Sequence, residues 1–478
     1  MGSIVTRNPF VRRQYLLVAV DTVIILASII FMYLPWFRFS WADLFAGLAR
    51  GLWIPVAIAV LAHLAVFYVF DLYNVRSVSL SQGRLVRIIL AVLLAVGGLT
   101  MLFYFFQKVP NLRKVLVTHI PLIIIAIYAW RLIFYRTVMK AQVRTVVMLL
   151  GDDALNWALV KAIRDDPMME YRTAALIPDT SGAQALCWKD TDGEALMMGP
   201  CNDIEEVMKE WDINVVVFSL KALPLFRAKL LFLKSRGVQV FDALTFYSLI
   251  TGRIPVVSTE DSTVAVLAER FPLPAYYLNV KRLVDVCLSL FGIIISFPFV
   301  ALSAILIAIE SPGPLFFRPE RVGQFGRTLR LFKLRTMRHT AKKGPLFTQP
   351  GDERVTRTGW LIRKFGFDEF PQLFNVLWGD LSLIGPRPIE EVFVDKYAAM
   401  TPLYYLRLSV KPGISGWAQV NQVEYPNSDE SQLVKLEYDL FYVSHVSLFL
   451  DVIIILKTLK KFFHLGYDSR EGKAPALL

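Results

Sequence analysis

Cysteine is nearly absent: three residues in 478, Cys187, Cys201 and Cys287, with no metal-binding spacing. That excludes a disulfide framework or a zinc scaffold and suits a reducing compartment. Charge is also sparse, 19% of residues, and acids are outnumbered 40 to 52 by Lys and Arg, for a net +12 at pH 7. Missing, too, is the glycine-rich turn of a dinucleotide site. Gly151 follows the apolar stretch 145–150 without its two partner glycines, and the neighbouring Asp152 and Asp153 would repel a pyrophosphate. The first apolar run does not read as a signal peptide: its core is long, it lacks a small-residue cleavage site, and more such runs follow.

What is abundant is apolar sequence: 55% hydrophobic residues and a mean hydropathy of +0.48. A soluble enzyme is less apolar and a pure transporter more so, which leaves membrane segments joined to water-facing domains. Four apolar runs, 15–34, 52–70, 85–106 and 115–134, each approach the ~20 residues that cross a bilayer. Arg7, Arg12 and Arg13 precede the first, Arg76, Arg84 and Arg87 follow the second, and Arg131, Arg136, Lys140 and Arg144 end or follow the fourth. The opposite loops carry fewer cations: Arg38, Arg50, Lys108, Arg113 and Lys114. This bias puts both ends of an α-helical four-span bundle, residues 1–140, in the cytoplasm. Trp36, Trp41, Trp53 and Trp130 suit interfacial belts, and His63 and His119 read as packing residues. The positive excess suits anionic head groups or phosphorylated substrates, and membrane attachment argues against nucleic acid.

Residues 141–275 alternate short apolar strands (145–150, 174–177, 215–218, 238–241) with helices (154–163, 204–211, 225–235). Such alternation predicts an α/β Rossmann-like, CoA-binding-like middle domain with a parallel sheet. Asp190-Thr191-Asp192 has the DxD form of metal-dependent glycosyltransferases, but its polar loop reads as solvated.

A fifth apolar run opens the last part, 276–478. It is long enough to cross a bilayer, yet Lys281 and Arg282 stand before it, and thirteen Lys or Arg against three acids lie between Pro312 and Lys364. A crossing would export that basic segment, against the positive-inside tendency. Ser296 and Pro298 sit midway, where proline removes a helix hydrogen bond. A re-entrant membrane helix over 280–310 reconciles length with charge. The basic segment carries FKLRTM (332–337), in which Lys333 and Arg335 suit anionic head groups or a diphosphate cradle.

The stretch 363–388, RKFGFDEFPQLFNVLWGDLSLIGPRP, carries the chemistry. Asp368 and Glu369 stand just before Pro371 and a helical apolar pattern, so Asp368 is expected at or near a helix N-terminus, where the dipole favours a negative charge. Arg387 lies in Gly385-Pro386-Arg387-Pro388, a stiff turn able to hold a guanidinium. Carboxylate, second acid and fixed arginine suit phosphoryl chemistry. Farther on, Leu448, Phe449, Val452, Ile455, Leu456, Leu459, Phe462 and Phe463 form one apolar helix face with Lys457, Lys460 and Lys461 nearby, the pattern of an interfacial helix. Asp451 lies among these apolar positions and needs a cationic, metal or hydrogen-bond partner. His445 reads as polar filler at the helix start.

From about Tyr277 to Tyr467 the chain resembles bacterial polyprenyl-phosphate sugar-1-phosphate transferases, the monotopic phosphoglycosyl transferases. The matching pieces are KRLVDVCLSLFG, ESPGPLFFRPERVG, FKLRTM, DERVTRTGWLIRK, DEFPQLFNVLWGDLSLIGPRP, KPGISGWAQVN and LEYDLFYVSHVSLFLD. The spans and middle domain resemble the N-terminal extension of the large, exopolysaccharide-initiating members. The resemblance implies that a sugar-1-phosphate passes from a nucleotide-sugar, UDP being the expected carrier, to undecaprenyl phosphate through a covalent phospho-Asp. It makes Asp368 the nucleophile and Glu369 its assistant, placing a metal or accepting a proton from the lipid phosphate. It implies Mg2+ at Asp368 and Glu369, phosphate binding by Arg387 and Arg363, and an active-site role for Asp451. It places the protein in the bacterial inner membrane, with the catalytic domain on the cytoplasmic face among membrane lipids. A homodimer through the N-terminal half is the oligomeric expectation. Phe365-Gly366-Phe367 and Phe370 depart from the usual residues around Asp-Glu, and Gln422-Val423-Glu424 replaces the common Gly-Arg; both put substrate fit in question. A membrane-bound nucleotide-sugar dehydratase would need the full glycine fingerprint at Gly151, and it is not there. A non-enzymatic scaffold for polysaccharide assembly would not need Asp368, Glu369 and Arg387.

Overall fold

The architecture comes from a computed structural model that describes residues 9–33, 53–70, 72–73, 88–97, 119–137, 145–165, 171–177, 186–189, 195–198, 207–209, 211–256, 275–338, 352–421 and 428–464. Asp190-Thr191-Asp192, Gln422-Val423-Glu424, Trp36, Trp41 and most of the run 85–106 lie outside these residues. Two compact units result: Met1–Thr145 with Pro167–Arg172, and Val146–Asp166 with Thr173–Leu478.

Four apolar runs become helices α1 (Pro9–Tyr33), α2 (Trp53–Val69), α3 (Ile88–Gly97) and α4 (Ile120–Thr137). They cluster around Leu17, Ile25, Phe67, Ile88, Val92, Ile123 and Ile127. Val23, Leu61 and Ile125 face outward, each more than 60% exposed. Helices apolar on both faces are built for an apolar surrounding. The apolar stretches described here are short, 10–17 residues; among the described residues only Tyr277–Glu310 is long and apolar enough to cross a membrane. Arg131, a loop cation in the orientation argument, is instead buried against Asp21 at 2.6 Å, joining α4 to α1. The loop-charge bias therefore rests on the other cations. His63 and His119 are buried and meet edge to face, 5.8 Å between ring centres.

The second unit begins with a six-stranded sheet in the order β3-β4-β2-β1-β5-β6. Its strands are β1 (Thr145–Leu150), β2 (Tyr171–Ile177), β3 (Leu186–Lys189), β4 (Ala195–Met198), β5 (Ile213–Phe218) and β6 (Gln239–Asp242). β1 pairs parallel with β5, β5 with β6 and β2 with β4; β3 runs antiparallel to β4 at the edge. Val147 to Leu150 are fully buried, as expected of a central parallel strand covered on both faces. Helices α5 (Ala154–Asp165), α6 (Leu223–Ser235) and α7 (Ala243–Thr251) connect or follow these strands. β3 and β4 were not legible in the sequence. After β1, Gly151 takes a φ of +105° and lies so close to Ser219 that a Cβ there would sit 2.7 Å from its Oγ. Asn156 donates to the carbonyls of Leu150 and Gly151 at 3.0 and 2.8 Å, so side chains of the protein itself fill this turn.

The C-terminal part is mostly helical. A long helix α8 (Ala275–Glu310), with Pro298 inside it, is followed by two small ribbons. One pairs β7 (Phe316–Phe317) with β10 (Lys333–Leu334), the other β8 (Glu320–Val322) with β9 (Thr328–Arg330). Then come α9 (Arg357–Lys364), α10 (Gln372–Trp378), β11 (Ser382–Ile384), α11 (Glu391–Met400), β12 (Gly413–Ser415), α12 (Trp417–Asn421), α13 (Asp429–Ser444) and α14 (Leu448–His464). Ile384, Trp417, Tyr438, Tyr442, Val443 and Ile454 form the core beneath β11 and β12.

Helix α13 also anchors the segment that leaves α7. The carbonyl of Glu437 accepts from the Ile254 N–H at 3.0 Å, and its Oε1 accepts from the Val256 N–H at 3.3 Å. Trp417 Nε1 donates to the Gly252 carbonyl at 2.8 Å. Burial pushes the Glu437 carboxyl up to about 7, against the Val256 N–H and Arg253, which lower it. A carboxyl raised on folding holds its proton longer in the native state, so stability falls as pH rises from the unfolded value of 4.5 towards 7. Relative to Glu437→Gln, which stays neutral, the full-length chain should lose about 3 kcal/mol across that window, at 1.36 kcal/mol per pH unit. Denaturation midpoints of the two proteins at pH 4.5 and 7.5 check this; parallel curves would remove the buried proton from the account.

Candidate active site

The basic ribbon, α9, α10 and the Gly385-Pro-Arg-Pro turn converge on Asp368 and Glu369. Thr356 caps α9, its hydroxyl accepting from Gly359 N–H at 2.9 Å. Arg363 lies in the last turn, and its Nε donates to Thr336 Oγ1 at 2.7 Å, which ties α9 to FKLRTM. Gly366, at φ +66°, then turns the chain in a conformation that favours glycine. A single 3-10 turn, Phe367–Glu369, follows and presents the two acids. Asp368 is therefore one turn upstream of α10, whose cap is Pro371.

Glu369 is the hub. Its Oε1 accepts from Lys333 Nζ at 2.8 Å and from Arg387 Nη2 at 2.6 Å. Burial pushes this carboxyl up, but Arg387 and then Lys333 outweigh it and hold Glu369 at about 2. Asp368 goes the other way. Burial and then the charge of Glu369 push its carboxyl up, while Lys333 and Arg363 pull it down. Among the described residues no other side chain hydrogen-bonds to Asp368, which keeps its oxygens available. Burial and the acidic neighbour thus raise its proton affinity, opposite in direction to the ionising effect expected of a helix N-terminus.

The supporting shell is built from backbone caps. Arg282 in α8 donates from Nη2 to the Leu377 carbonyl at 2.7 Å, and its Nη1 reaches that of Val376, closing the end of α10. Asp285 accepts from Leu383 N–H at 3.1 Å. Asn375 bridges α10 to the ribbon: Oδ1 accepts from Phe332 N–H and Nδ2 donates to the Arg330 carbonyl, both at 2.8 Å. The Gly385 turn sits against β12 so closely that a Cβ on Gly385 would lie 2.3 Å from the Lys411 carbonyl oxygen.

Of the residues singled out from sequence, Asp368, Glu369, Lys333 and Arg387 meet at one place, with Arg363 beside it. Arg335 is placed elsewhere: it is buried, and its Nη groups donate to the carbonyls of Ser311 and Pro312, where the chain leaves α8. Its donors secure that exit rather than facing Glu369. Asp451 has the partners its burial demanded. Oδ2 accepts from Tyr277 Oη and Lys281 Nζ, both at 2.8 Å, and Oδ1 accepts from Tyr442 Oη at 2.7 Å. It joins α14 to the start of α8. Ser296 Oγ reaches only its own helix, at the Ile293 carbonyl. On α14, Phe449, Val452 and Leu459 are exposed, whereas Lys457 lies over the Trp417 ring and donates to Asn421. That lysine serves the protein, not a head group. His445 stacks on Phe441, 4.4 Å between ring centres.

Sequence reasoning missed a buried ion pair behind the site. Arg407, in the 3-10 segment Pro402–Ser409, meets Asp439 of α13 at 2.8 Å, both under 4% exposed. Its Nη2 also donates to the Arg387 carbonyl at 2.9 Å, and its Nη1 to Tyr404 Oη at 2.8 Å. Nothing in the spacing of an Arg and an Asp 32 residues apart signals that contact. Two carboxylates, one committed to cations and one open, beside an arginine on a braced turn can bind a phosphate and attack it.

Residues 276–465 match the family described as bacterial sugar transferase. The chain is 37% identical over 267 residues to the UDP-N-acetylgalactosamine-undecaprenyl-phosphate N-acetylgalactosaminephosphotransferase of Aeromonas hydrophila, covering 56% of this chain and 58% of that protein. It is 39% identical over 191 residues to the UDP-glucose:undecaprenyl-phosphate glucose-1-phosphate transferase of Caulobacter vibrioides, covering 39% of this chain and 71% of that one. Against the Escherichia coli protein of the same description, identity is 28% over 334 residues, covering 67% and 68% of the two chains.

Proposed function

Because this chain belongs to the bacterial sugar transferases that act on polyprenyl phosphates, we propose that it moves a sugar-1-phosphate from a nucleotide-sugar to undecaprenyl phosphate. The observation that carries this reading is the pairing of an open Asp368 with a Glu369 that grips Lys333 and Arg387. A carboxylate oxygen of Asp368 attacks the phosphorus that bears the sugar. A P–O bond forms, the bond to the nucleoside monophosphate breaks, and the nucleotide leaves with that oxygen. An oxygen of the lipid phosphate then attacks the same phosphorus, makes the diphosphate and frees the carboxylate. Splitting the reaction in two keeps the anionic substrates from having to meet at once.

Phosphoryl transfer depends on positioning and charge stabilisation. Glu369 holds Lys333 and Arg387 where an incoming phosphate needs them, and Arg363 adds a charge beside Asp368. Held at about 2 and ion-paired, Glu369 is a poor proton acceptor, so its part is to hold cations. Mg2+ commonly binds through one or two carboxylates plus substrate phosphates. Two adjacent carboxylates, one of them open, fit that requirement. Asp368 and Glu369 would hold the ion, which would supply Lewis-acid neutralisation of phosphate charge.

The lipid phosphate stays at the head-group plane, and α8 is the element that holds the site there. Its outward face is apolar, with Leu290, Phe291, Ile294, Phe297, Leu302 and Ile309 exposed. A straight helix of 36 residues is ~54 Å long, more than a ~30 Å hydrocarbon core. Yet Arg282 and Asp285 near one end, and Glu310 at the other, bind the same C-terminal part; Glu310 accepts from the N–H groups of Arg357 and Thr358 at 2.8 Å. Contacts at both ends support a helix that enters and leaves by one face rather than one that crosses. With it go a four-span N-terminal block (1–140), a Rossmann-like middle domain (141–275) and a catalytic domain (276–478) at the cytoplasmic face.

The test is direct. Purified full-length protein receives undecaprenyl phosphate and UDP-N-acetylgalactosamine or UDP-glucose labelled in the sugar. Label in the organic-extractable lipid, with release of UMP, supports the transferase. A dehydrated sugar nucleotide left in the aqueous phase would instead favour the dehydratase.

A further inference from the structure

We propose that Lys435 is a further substrate-binding residue, an ammonium that meets a substrate phosphate beside Arg387. The assignment rests on the transferase reading above. Lys435 and Asp439 lie four residues apart on α13 and so share a face. Asp439 holds Arg407 at 2.8 Å, and Arg407 holds the carbonyl of Arg387 at 2.9 Å. The face of α13 that carries Lys435 is thus the one turned to the phosphate-binding turn. Lys435 is half-buried, and among the described residues it makes no hydrogen bond or ion pair.

Three charged groups act on it: Arg407, Asp439 and Arg387. Burial, then Arg407, push its ammonium down to about 8, and Arg387 adds to this; Asp439 alone opposes them. Asp439 is already committed to Arg407. Glu369 is held by Lys333 and Arg387, and Asp439 by Arg407, so neither carboxylate is committed to Lys435. A partly desolvated cation among arginines is costly without an anion. The anion that would balance it is the chemistry this site handles, a phosphate of the nucleotide-sugar or of the lipid. Charge-assisted hydrogen bonds of this kind are the stronger class.

Steady-state transfer by the full-length protein separates the two sources. Lys435→Met should raise KM about tenfold, one charge-assisted contact's worth, for the substrate whose phosphate it meets. The KM of the other substrate and kcat should change less than threefold, and Lys435→Arg should restore KM. Since kcat/KM reports groups of the free enzyme, the native profile should fall above pH about 8. That limb should vanish in Lys435→Arg, which stays charged. A purely structural lysine would not move the limb. Native KM values in Lys435→Met, or a limb that persists in Lys435→Arg, overturn the assignment. If Lys435→Met fails to fold, the Lys435→Arg profile decides alone. Calorimetric binding of inorganic pyrophosphate makes the same comparison without turnover, so a native protein that transfers no label disproves the transferase reading and leaves this one testable: weaker binding by Lys435→Met supports it, equal binding sinks it.

Discussion

Asp368→Asn is expected to abolish transfer of labelled sugar phosphate into lipid, by about four orders of magnitude or more, the scale on which enzymes lose activity when their nucleophile is removed. The amide matches the carboxylate in shape but cannot form the bond to phosphorus. The substitution should leave the fold alone, because Asp368 anchors no other side chain among the described residues. Thermal unfolding of the variant should therefore match the native protein. Asp152→Asn, in the sheet domain and exposed, is the matched control and should retain activity. The covalent intermediate adds a second readout. Protein mixed with labelled nucleotide-sugar and no lipid should carry the mass of one sugar phosphate on the peptide containing Asp368, and the variant should not. Full turnover in Asp368→Asn would falsify the covalent mechanism while leaving family membership intact.

The second large effect is on stability. Arg407→Met removes one partner of a buried pair and leaves Asp439, 2% exposed, without its cation. Breaking such a pair costs about 3–5 kcal/mol, because the remaining charge is stranded in low dielectric. The denaturant midpoint of the full-length protein should drop accordingly. Replacing both partners, Arg407→Met with Asp439→Leu, should recover part of the loss, since neither member of the pair is then left charged, although Lys435 loses the carboxylate that opposed its cationic neighbours. The double variant also separates stability from positioning: its midpoint recovers in part, but the Arg387 carbonyl still lacks its donor, so KM should stay raised. A single variant with a native midpoint would show that the pair contributes nothing net.

Much of the fold was legible because its signals are local. Strand β1 appears as the apolar stretch 145–150, and α5 and α6 appear within two residues of their observed ends. The edge strands β3 and β4 were not legible, since short strands in a mixed composition have no period to read. Asp451 was recognised as needing a partner, but not which one: Tyr277 and Lys281 lie over 150 residues away. Arg131 and Arg335 show the opposite error. A cation in a basic stretch counts as surface charge until packing buries it, one against Asp21 and the other against two carbonyls.

The order of residues by itself determined where the apolar runs lie, that Asp368 and Glu369 are adjacent, and that Arg387 sits on a stiff turn. These follow from composition, spacing and the dihedral limits of proline and glycine, which act within a few residues. Only the tertiary structure decided that Glu369 grips Lys333 and Arg387, that Arg407 braces the turn from behind, and that Lys435 has no hydrogen-bond or ion-pair partner among the described residues. Ion pairs form wherever folding brings opposite charges within a few ångströms, and chain separation places no bound on that distance.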